Sequence, residues 1–440
     1  MNLCDVVKYG DIVRDRWPGE DDRHLGLYNG SGRSGGCFDE YGMMNHNHAG
    51  KGRKNSGNTF LMHADHWDGS GVQQVWLPLA RLAWLDGKPS GTPEAYRQIL
   101  KLYDGQITTE ISWSGLEMKT RNYFHPYMRD LMAFEIEFRA TAGQMFPIAV
   151  SAEESRGLNL HVENAVFDPE GGLGFSHIRS GTADSVLVVK ILPMAGKCEL
   201  RLNASGFEIH FSGDTGHFLV LIGAVAKGRF EELAKTIHSI TVPKSFEKSA
   251  VEGWHRRWGH SFLYVPDARY QALWARSLFY VFCSYAPDRR CPASPSGWSG
   301  NGWPFSFPQD LSYIHPALLR LGHFDIAKAW VESYYDSIGG VGKFTRETFG
   351  AEGTMWVWEF PIDPRWDGFE KGVPNHYHYE IHNAAYPSRM ARETSRFLND
   401  ADWTREVAWP VIRESARFYA SILQKEDNGT WGIHLVPSMG

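Results

Sequence analysis

The sequence predicts a chain that is β first and α second, an N-terminal β-sandwich followed by a helical, tryptophan-rich region. Three observations carry this. Between about residues 107 and 225, short apolar-alternating runs follow one another with no helical pattern between them. After 226 the apolar period becomes that of helices. Beyond 266, long aromatic-rich loops separate the helices.

Each element has its own signal. In Leu131–Phe138 the alternation puts Met132, Phe134, Ile136 and Phe138 on one face. Residues 107–113, 146–151, 185–192, 198–204 and 217–225 have strand-like length and are bounded by Gly, Asn and Asp clusters. Many short strands of this kind predict packed antiparallel sheets. Residues 1–106, rich in Gly, Asn, His and Trp, read as long loops over that sandwich. A short helix follows near 230, then a second ending at Trp258, with Trp254 and Trp258 on one face. Asp267 is placed to cap a helix over 268–285, with Tyr270, Leu273, Trp274, Leu278, Val281 and Phe282 as its apolar stripe. Further helices are expected over 323–338, over part of 376–398 with a break at Pro387, and over 409–424 with Pro410 in the first turn. The domain reading is 1–225 sandwich, 226–261 helical linker and 262–440 helical domain.

Composition narrows the partners. Of the residues, 22% are charged and the net charge is −6, so nothing suggests nucleic acid or an anionic membrane surface. No apolar run reaches the length of a membrane span. The start, MNLCDVVKYGDIVRDRW, has no apolar core of a signal peptide, which reads as cytoplasmic if Met1 is the true start and leaves an extracytoplasmic protein open if it is not. Five scattered cysteines and no CxxC pair argue against a disulfide framework or a zinc ribbon, and no cofactor is implied.

Twelve of the seventeen tryptophans lie after residue 240, several of them in loops: Trp298, Trp303, Trp356, Trp358 and Trp366. Indoles beside acids, amides and imidazoles suit a sugar site, because pyranose C–H faces stack on aromatic rings while the hydroxyls need polar partners. Loop packing onto the helices explains any one of these tryptophans as well. Three stretches supply acids. Trp303 leads through Pro-Phe-Ser-Phe-Pro-Gln to Asp310, with Tyr313 and His315 beyond; helix capping accounts for Asp310 equally well. Trp356-Val-Trp358-Glu359 is the second. In the third, Asn375 to Asn383, Glu380 stands among His376, Tyr377, His378, Tyr379 and His382. If this last stretch is helical, His376 with Glu380 and His378 with His382 share faces. His378-x-x-x-His382 and His63-Ala-Asp65-His66-Trp67-Asp68 have metal-like spacing, but the glutamate is wrongly placed for a zincin motif, and a polar loop over a sugar cleft explains the second, so no metal site is assigned. Glycosidic cleavage usually takes two carboxylates, and Asp310, Glu359 and Glu380 are the candidates. Trp303, Trp356, Trp358, His376, His378, His382 and Asn383 are the candidate substrate contacts.

These motifs resemble those of the six-hairpin glycosidases, nearest to inverting α-L-fucosidases (glycoside hydrolase family 95) and maltose and kojibiose phosphorylases (family 65). Trp254-His-Arg-Arg-Trp258 and Ser261-Phe-Leu-Tyr-Val-Pro-Asp267 look like their linker and first barrel helix. Gly297-Trp298 to Asp310 and Tyr313 fits the first barrel loop, and Gly350-Ala-Glu-Gly353 to Trp358-Glu359 is similar to a phosphorylase loop. Glu380-Ile-His382 and Glu414-Ser-Ala-Arg-Phe418 resemble the helices that follow; Tyr96 to Leu100 and Tyr123-Phe-His-Pro126 resemble the sandwich. The resemblance covers most of 96–440, and Asn29-Gly-Ser-Gly32 departs from it.

The resemblance implies an (α/α)6 barrel of twelve helices, on the order of 300 residues. Residues 262–440 hold about half of that. It therefore implies an incomplete barrel, with the general acid beyond Gly440 and a fragment inactive by itself. It also implies an oligo- or polysaccharide substrate cleaved with inversion at an α-linkage, with water or inorganic phosphate as nucleophile. A polysaccharide lyase remains open, with Asn375-His376-Tyr377 as its suggestive run; an unsaturated product would reveal it. So does a non-catalytic glycan-binding protein or pseudoenzyme, which would bind without turnover.

Overall fold

The computed structural model describes residues 2–19, 26–44, 59–67, 71–85, 87–89, 91–141, 145–152, 161–168, 172–180, 183–288, 306–358, 360 and 379–434. It forms two compact units. The first is built mainly from Met1–Leu61 and Trp76–Ala286, the second mainly from Trp303–Gly440. The linker helices and the helix after Asp267 thus belong to the first unit.

The first unit is dominated by a twelve-stranded antiparallel sheet. Its strands are β1 (Ile12–Arg14), β4 (Thr59–Trp67), β5 (Gly71–Trp84), β6 (Ala95–Lys101), β7 (Gln106–Trp113), β8 (Leu116–Phe124), β9 (Leu131–Ala140), β10 (Ile148–Ser151), β11 (His161–Asp168), β12 (Leu173–Ser180), β13 (Ala183–Asn203) and β14 (Gly206–Ala226). A separate hairpin pairs β2 (Leu27–Gly30) with β3 (Gly35–Phe38). The main path runs β1-β6-β7-β8-β9-β14-β10-β5-β4, and hydrogen bonding makes it one continuous sheet. The expected strands 185–192 and 198–204 are a single strand, β13, whose register against β14 shifts at Pro193/Ala195 and Ala195/Lys197.

Strand β9 buries Met132, Phe134, Ile136 and Phe138 as the alternation requires. The reading of 1–106 as loops is corrected, since β1 to β6 lie there. Strand β6 hides its pattern because its inward residues are Tyr96, Gln98 and Leu100. Gln98 is buried, and its amide nitrogen is held by donating to the Asp39 carbonyl at 2.7 Å and to the Thr109 hydroxyl at 3.0 Å.

Helices cover part of one face of this sheet. These are α2 (Phe230–Ser239) and α3 (Pro243–Trp258), and with α1 (Leu3–Lys8) and α4 (Ala268–Ser284) they complete the unit. Leu233, Ile237, Phe246 and Ala250 pack on Leu131, Ala133, Leu219, Leu221 and Val225. Trp254 and Trp258 are both fully buried, and their indoles donate to the carbonyls of Phe124 at 3.2 Å and Leu102 at 3.0 Å. Asp267 caps α4 by accepting from the Arg269 amide at 2.8 Å. The buried stripe of α4 is rotated from the expected one. Tyr270 and Leu273 are 62% and 61% exposed, while Gln271, Ala275, Leu278, Phe279 and Phe282 face inward. The amide of Gln271 fixes this rotation by donating to the Val6 and Leu263 carbonyls.

The second unit holds α5 (Pro308–Arg320), α6 (Phe324–Phe349), a 3-10 turn over Ile381–Ala384, α7 (Ala385–Leu398), α8 (Ala401–Trp403) and α9 (Trp409–Ile422). Helix α6 runs through Gly339-Gly340, where the sequence suggests a loop, because Val341, Phe344 and Thr345 continue its buried face. It ends at Gly350 in the left-handed region, φ +62°. Pro387 does not break α7. It falls in the first turn, where a missing amide proton costs no helical hydrogen bond.

Candidate functional site

In the second unit, α5, the 3-10 turn and α7 bring several of the named residues together. Phe307 precedes α5 with extended backbone and Pro308 opens the helix, so the first-turn residues Gln309 and Asp310 stand at its N-terminus. Asp310 is inside the helix rather than its cap, where its charge complements the helix dipole. Ser306 and Phe360 form an isolated antiparallel bridge, with N–H···O distances of 2.9 and 2.8 Å, which anchors the approach to α5.

Opposite the start of α5 lies the turn that carries Glu380, His382 and Asn383. His382 Nε2 is 3.0 Å from Gln309 Oε1 and 3.3 Å from Asn383 Nδ2. Asn383 Nδ2 also donates to the Glu380 carbonyl at 3.2 Å and approaches Glu380 Oε2 at 3.5 Å. The imidazole nitrogen has one role at a time. The Glu380 carbonyl and carboxylate fix Asn383 with its Nδ2 toward them, so the imidazole nitrogen either donates to Gln309 Oε1 or accepts from Asn383 with Gln309 turned to present its amine. The cluster can therefore offer either a donor or an acceptor to a hydroxyl. Glu380 and Asn383 are buried, whereas His382 and Asp310 are partly exposed. Asn383 Oδ1 is buried and has no hydrogen-bond partner among the described residues. The turn is pinned from behind by the Tyr419 hydroxyl on the Ile381 carbonyl and the Ser415 hydroxyl on the Ala384 carbonyl, both 2.6 Å.

Tyr386, in the first turn of α7, extends the cluster. Its phenol is pushed up by burial first, then by the neighbouring Tyr313 hydroxyl; Asp310 adds to this and Arg389 opposes it. The sequence offered no signal for Gln309 or Tyr386, since both gain meaning only when α5 meets α7. The other named residues fall elsewhere. Trp356 is fully buried, and its indole donates to Ser337 Oγ at 2.8 Å beside Tyr334. Trp358 is half-buried against Phe307, ring centroids 4.9 Å apart. His315 is fully buried, with Nε2 3.0 Å from Thr394 Oγ1, so it joins α5 to α7. Trp303, Glu359, His376 and His378 lie outside the described residues, as do the side chains of the run from His63 to Asp68. No group of three or more metal-binding side chains occurs among the described residues.

No protein-family model matches the chain. It is 22% identical over 248 residues to a kojibiose hydrolase of Flavobacterium johnsoniae, a match covering 53% of this chain and 35% of that protein. It is 28% identical over 162 residues to a kojibiose hydrolase of Mucilaginibacter mallensis, covering 36% and 23%. Among solved structures, it superposes on a human-microbiome protein provisionally described as a kojibiose phosphorylase, with a TM-score of 0.74, 13% identity, 98% of this chain and 62% of that one. The similarity to these named hydrolases supports a glycosidase-type superfamily, and the superposition shows a shared fold of a large antiparallel sheet plus helices. More particularly, the curated relatives it matches are kojibiose hydrolases, and the matches span about a third of the first one's length and a quarter of the second's.

Proposed function

We propose that the second unit carries part of the substrate site of a glycoside hydrolase-like enzyme that cleaves an α-linked gluco-oligosaccharide with inversion. The observation that carries this is the chain of contacts from Gln309 through His382 and Asn383 to Glu380, which joins the start of α5, where Asp310 follows Gln309, to the turn before α7. Hydroxyl groups need both donors and acceptors, and this cluster supplies both from rigid elements. Asn383 Oδ1 is an acceptor suited to a sugar hydroxyl, and His382 with Gln309 is a switchable pair for its neighbour. Asp310 and Glu380 are the candidate carboxylates for hydroxyl binding or for activating a nucleophile. The acid that protonates the leaving oxygen lies, on this reading, outside the described residues. The helical unit is in turn read as part of an (α/α)6 barrel and the sheet as a sandwich, in keeping with the kojibiose phosphorylase-like superposition.

The test is an assay on kojibiose with and without inorganic phosphate, following glucose, its anomeric form and glucose 1-phosphate by NMR. Release of β-glucose by the wild type, lost in Asp310→Asn or Glu380→Gln, supports the hydrolase reading. Glucose 1-phosphate formed only with phosphate marks a phosphorylase. Saturable binding with no turnover marks a glycan-binding protein, and neither binding nor turnover with any α-glucobiose overturns the proposal.

A further inference from the structure

The sheet of the first unit has a second site-like feature. The face covered by α2 and α3 is covered only in part. Where the helices lie, it presents Tyr123, Ala133, Leu219 and Leu221. Beyond Arg121, which pairs with both Glu135 and Glu247 of α3, the same face becomes charged and open. Strand register fixes the pattern there. One row across β6, β7, β8, β9 and β14 reads Arg97, Glu110, Lys119, Glu137, His217, and the next reads Ser112, Glu117, Arg139, Thr215 from β7 onward. Together they line a groove of about 580 Å³, within the size range of small-ligand sites, roughly 300–1,000 Å³.

Its chemistry is specific. Lys119 and Glu110 pair at 2.6 Å, and His217 reaches Glu135 at 2.7 Å. Arg97, Glu117, Glu137 and Arg139 make no ion pair with any described residue, although oppositely charged residues face one another across the strands. The open rows balance three basic against three acidic side chains. An anion would meet Glu117 and Glu137, and a cation would meet Arg97 and Arg139. Ile111, Met118 and Phe138, at the alternate positions of the same strands, are buried on the other face of the sheet, so among the described residues no phenyl, phenol or indole ring faces the groove. What such a row of alternating donors and acceptors satisfies is a neutral molecule dense in hydroxyls, because each hydroxyl both donates and accepts.

We propose that this groove on β7–β9 and β14 binds a short neutral oligosaccharide, separately from the candidate site on α5 and α7. The proposal goes beyond the glycosidase reading and does not need it, since the groove's own residues define the ligand. The test uses the whole 440-residue chain with maltotriose as probe, followed by saturation-transfer NMR and calorimetric titration. The double variant Glu137→Ala/Arg139→Ala is expected to weaken maltotriose binding at least tenfold with an unchanged thermal melt, and Glu117→Gln to weaken it less. Asp310→Ala, in the second unit, is expected to leave this binding event in place while removing turnover of kojibiose. Unchanged affinity in the double variant, no maltotriose binding at millimolar concentration, or saturable binding of diglycine in place of the sugar would each overturn it.

Discussion

Gln309 and His382 meet at 3.0 Å across 73 residues of sequence, and this contact ties the start of α5 to the turn before α7. Both side chains are polar and only partly buried, so the contact adds little to folding and much to where the cluster points. Gln309→Ala is therefore expected to cost binding rather than stability. On the proposed reading, kojibiose affinity should fall about tenfold, the loss of roughly one neutral hydrogen bond, while the denaturant midpoint stays close to wild type. Asn383→Ala should weaken binding further, because it removes the buried acceptor itself. A large fall in stability for Gln309→Ala with unaltered affinity would show the pair to be structural.

Acid should destabilise the protein through two buried histidines. His125 accepts backbone protons from Tyr127 and Met128 at Nδ1, at 3.2 and 2.9 Å, which puts its own proton on Nε2 toward Ser249 Oγ at 3.1 Å. Burial first, then Arg256 and Arg257, push its pKa down to about 4, and burial followed by Arg389 does the same for His315. A histidine whose folded pKa is depressed costs nothing above its unfolded value of about 6.5. Below that the unfolded chain takes up the proton and the folded one does not, so stability falls between about pH 6.5 and 4. Each group contributes on the order of 3 kcal/mol at the acid end. Unfolding free energies measured from pH 7 to 4 should show this slope, and it should be shallower in His125→Gln.

Gly105 shows how a single backbone position holds the first unit together. Its φ is +63°, and a Cβ there would lie 2.2 Å from the Trp254 indole, which is fully buried against the sheet. Gly105→Ala combines left-handed strain with overpacking, so a loss of about 2–4 kcal/mol is expected by chemical denaturation. Trp254→Phe would relieve the clash but leave the Phe124 carbonyl without its indole donor. The double variant should therefore recover part of the loss and not all of it.

What was legible in the sequence follows from how locally each signal was encoded. Strand β9 and the Asp267 cap depend on neighbours within one element, and both are readable. Strand β6 is not, because a buried glutamine, Gln98, stands where alternation expects an apolar residue. The face of α4 is not readable from its apolar stripe because Gln271, another buried amide, sets its rotation. Gly339-Gly340 suggests a loop, yet tertiary burial on either side of the pair carries α6 through it. The candidate site divides in the same way. Glu380, His382 and Asn383 stand out as a dense polar and aromatic run, whereas Gln309 and Tyr386 acquire a role only from the meeting of two helices. Trp356 stands in the sequence as a loop indole beside acids, but its position is set by Ser337 and Tyr334 of α6.

Arg257 offers the sharpest stability test, because it is a buried cation that serves carbonyls. Its guanidinium donates to the carbonyls of Phe282 at 2.9 Å, Ser31 at 3.1 Å and Pro126 at 2.9 Å, and it lies over the Trp254 ring. Three segments far apart in sequence thus converge on one side chain at the end of α3. Its planar fork is what allows this, since a lysine ammonium is a single point and cannot span the same directions. Arg257→Ala leaves three inward carbonyls without these donors. At about 1–3 kcal/mol for each buried group left unmade, with partial relaxation, a loss of roughly 3–5 kcal/mol is expected. Arg257→Lys should regain only a minor part of it. Denaturant titration of both variants, followed by tryptophan fluorescence, measures the difference, and a lysine variant as stable as wild type would show that the charge and not the fork holds these segments.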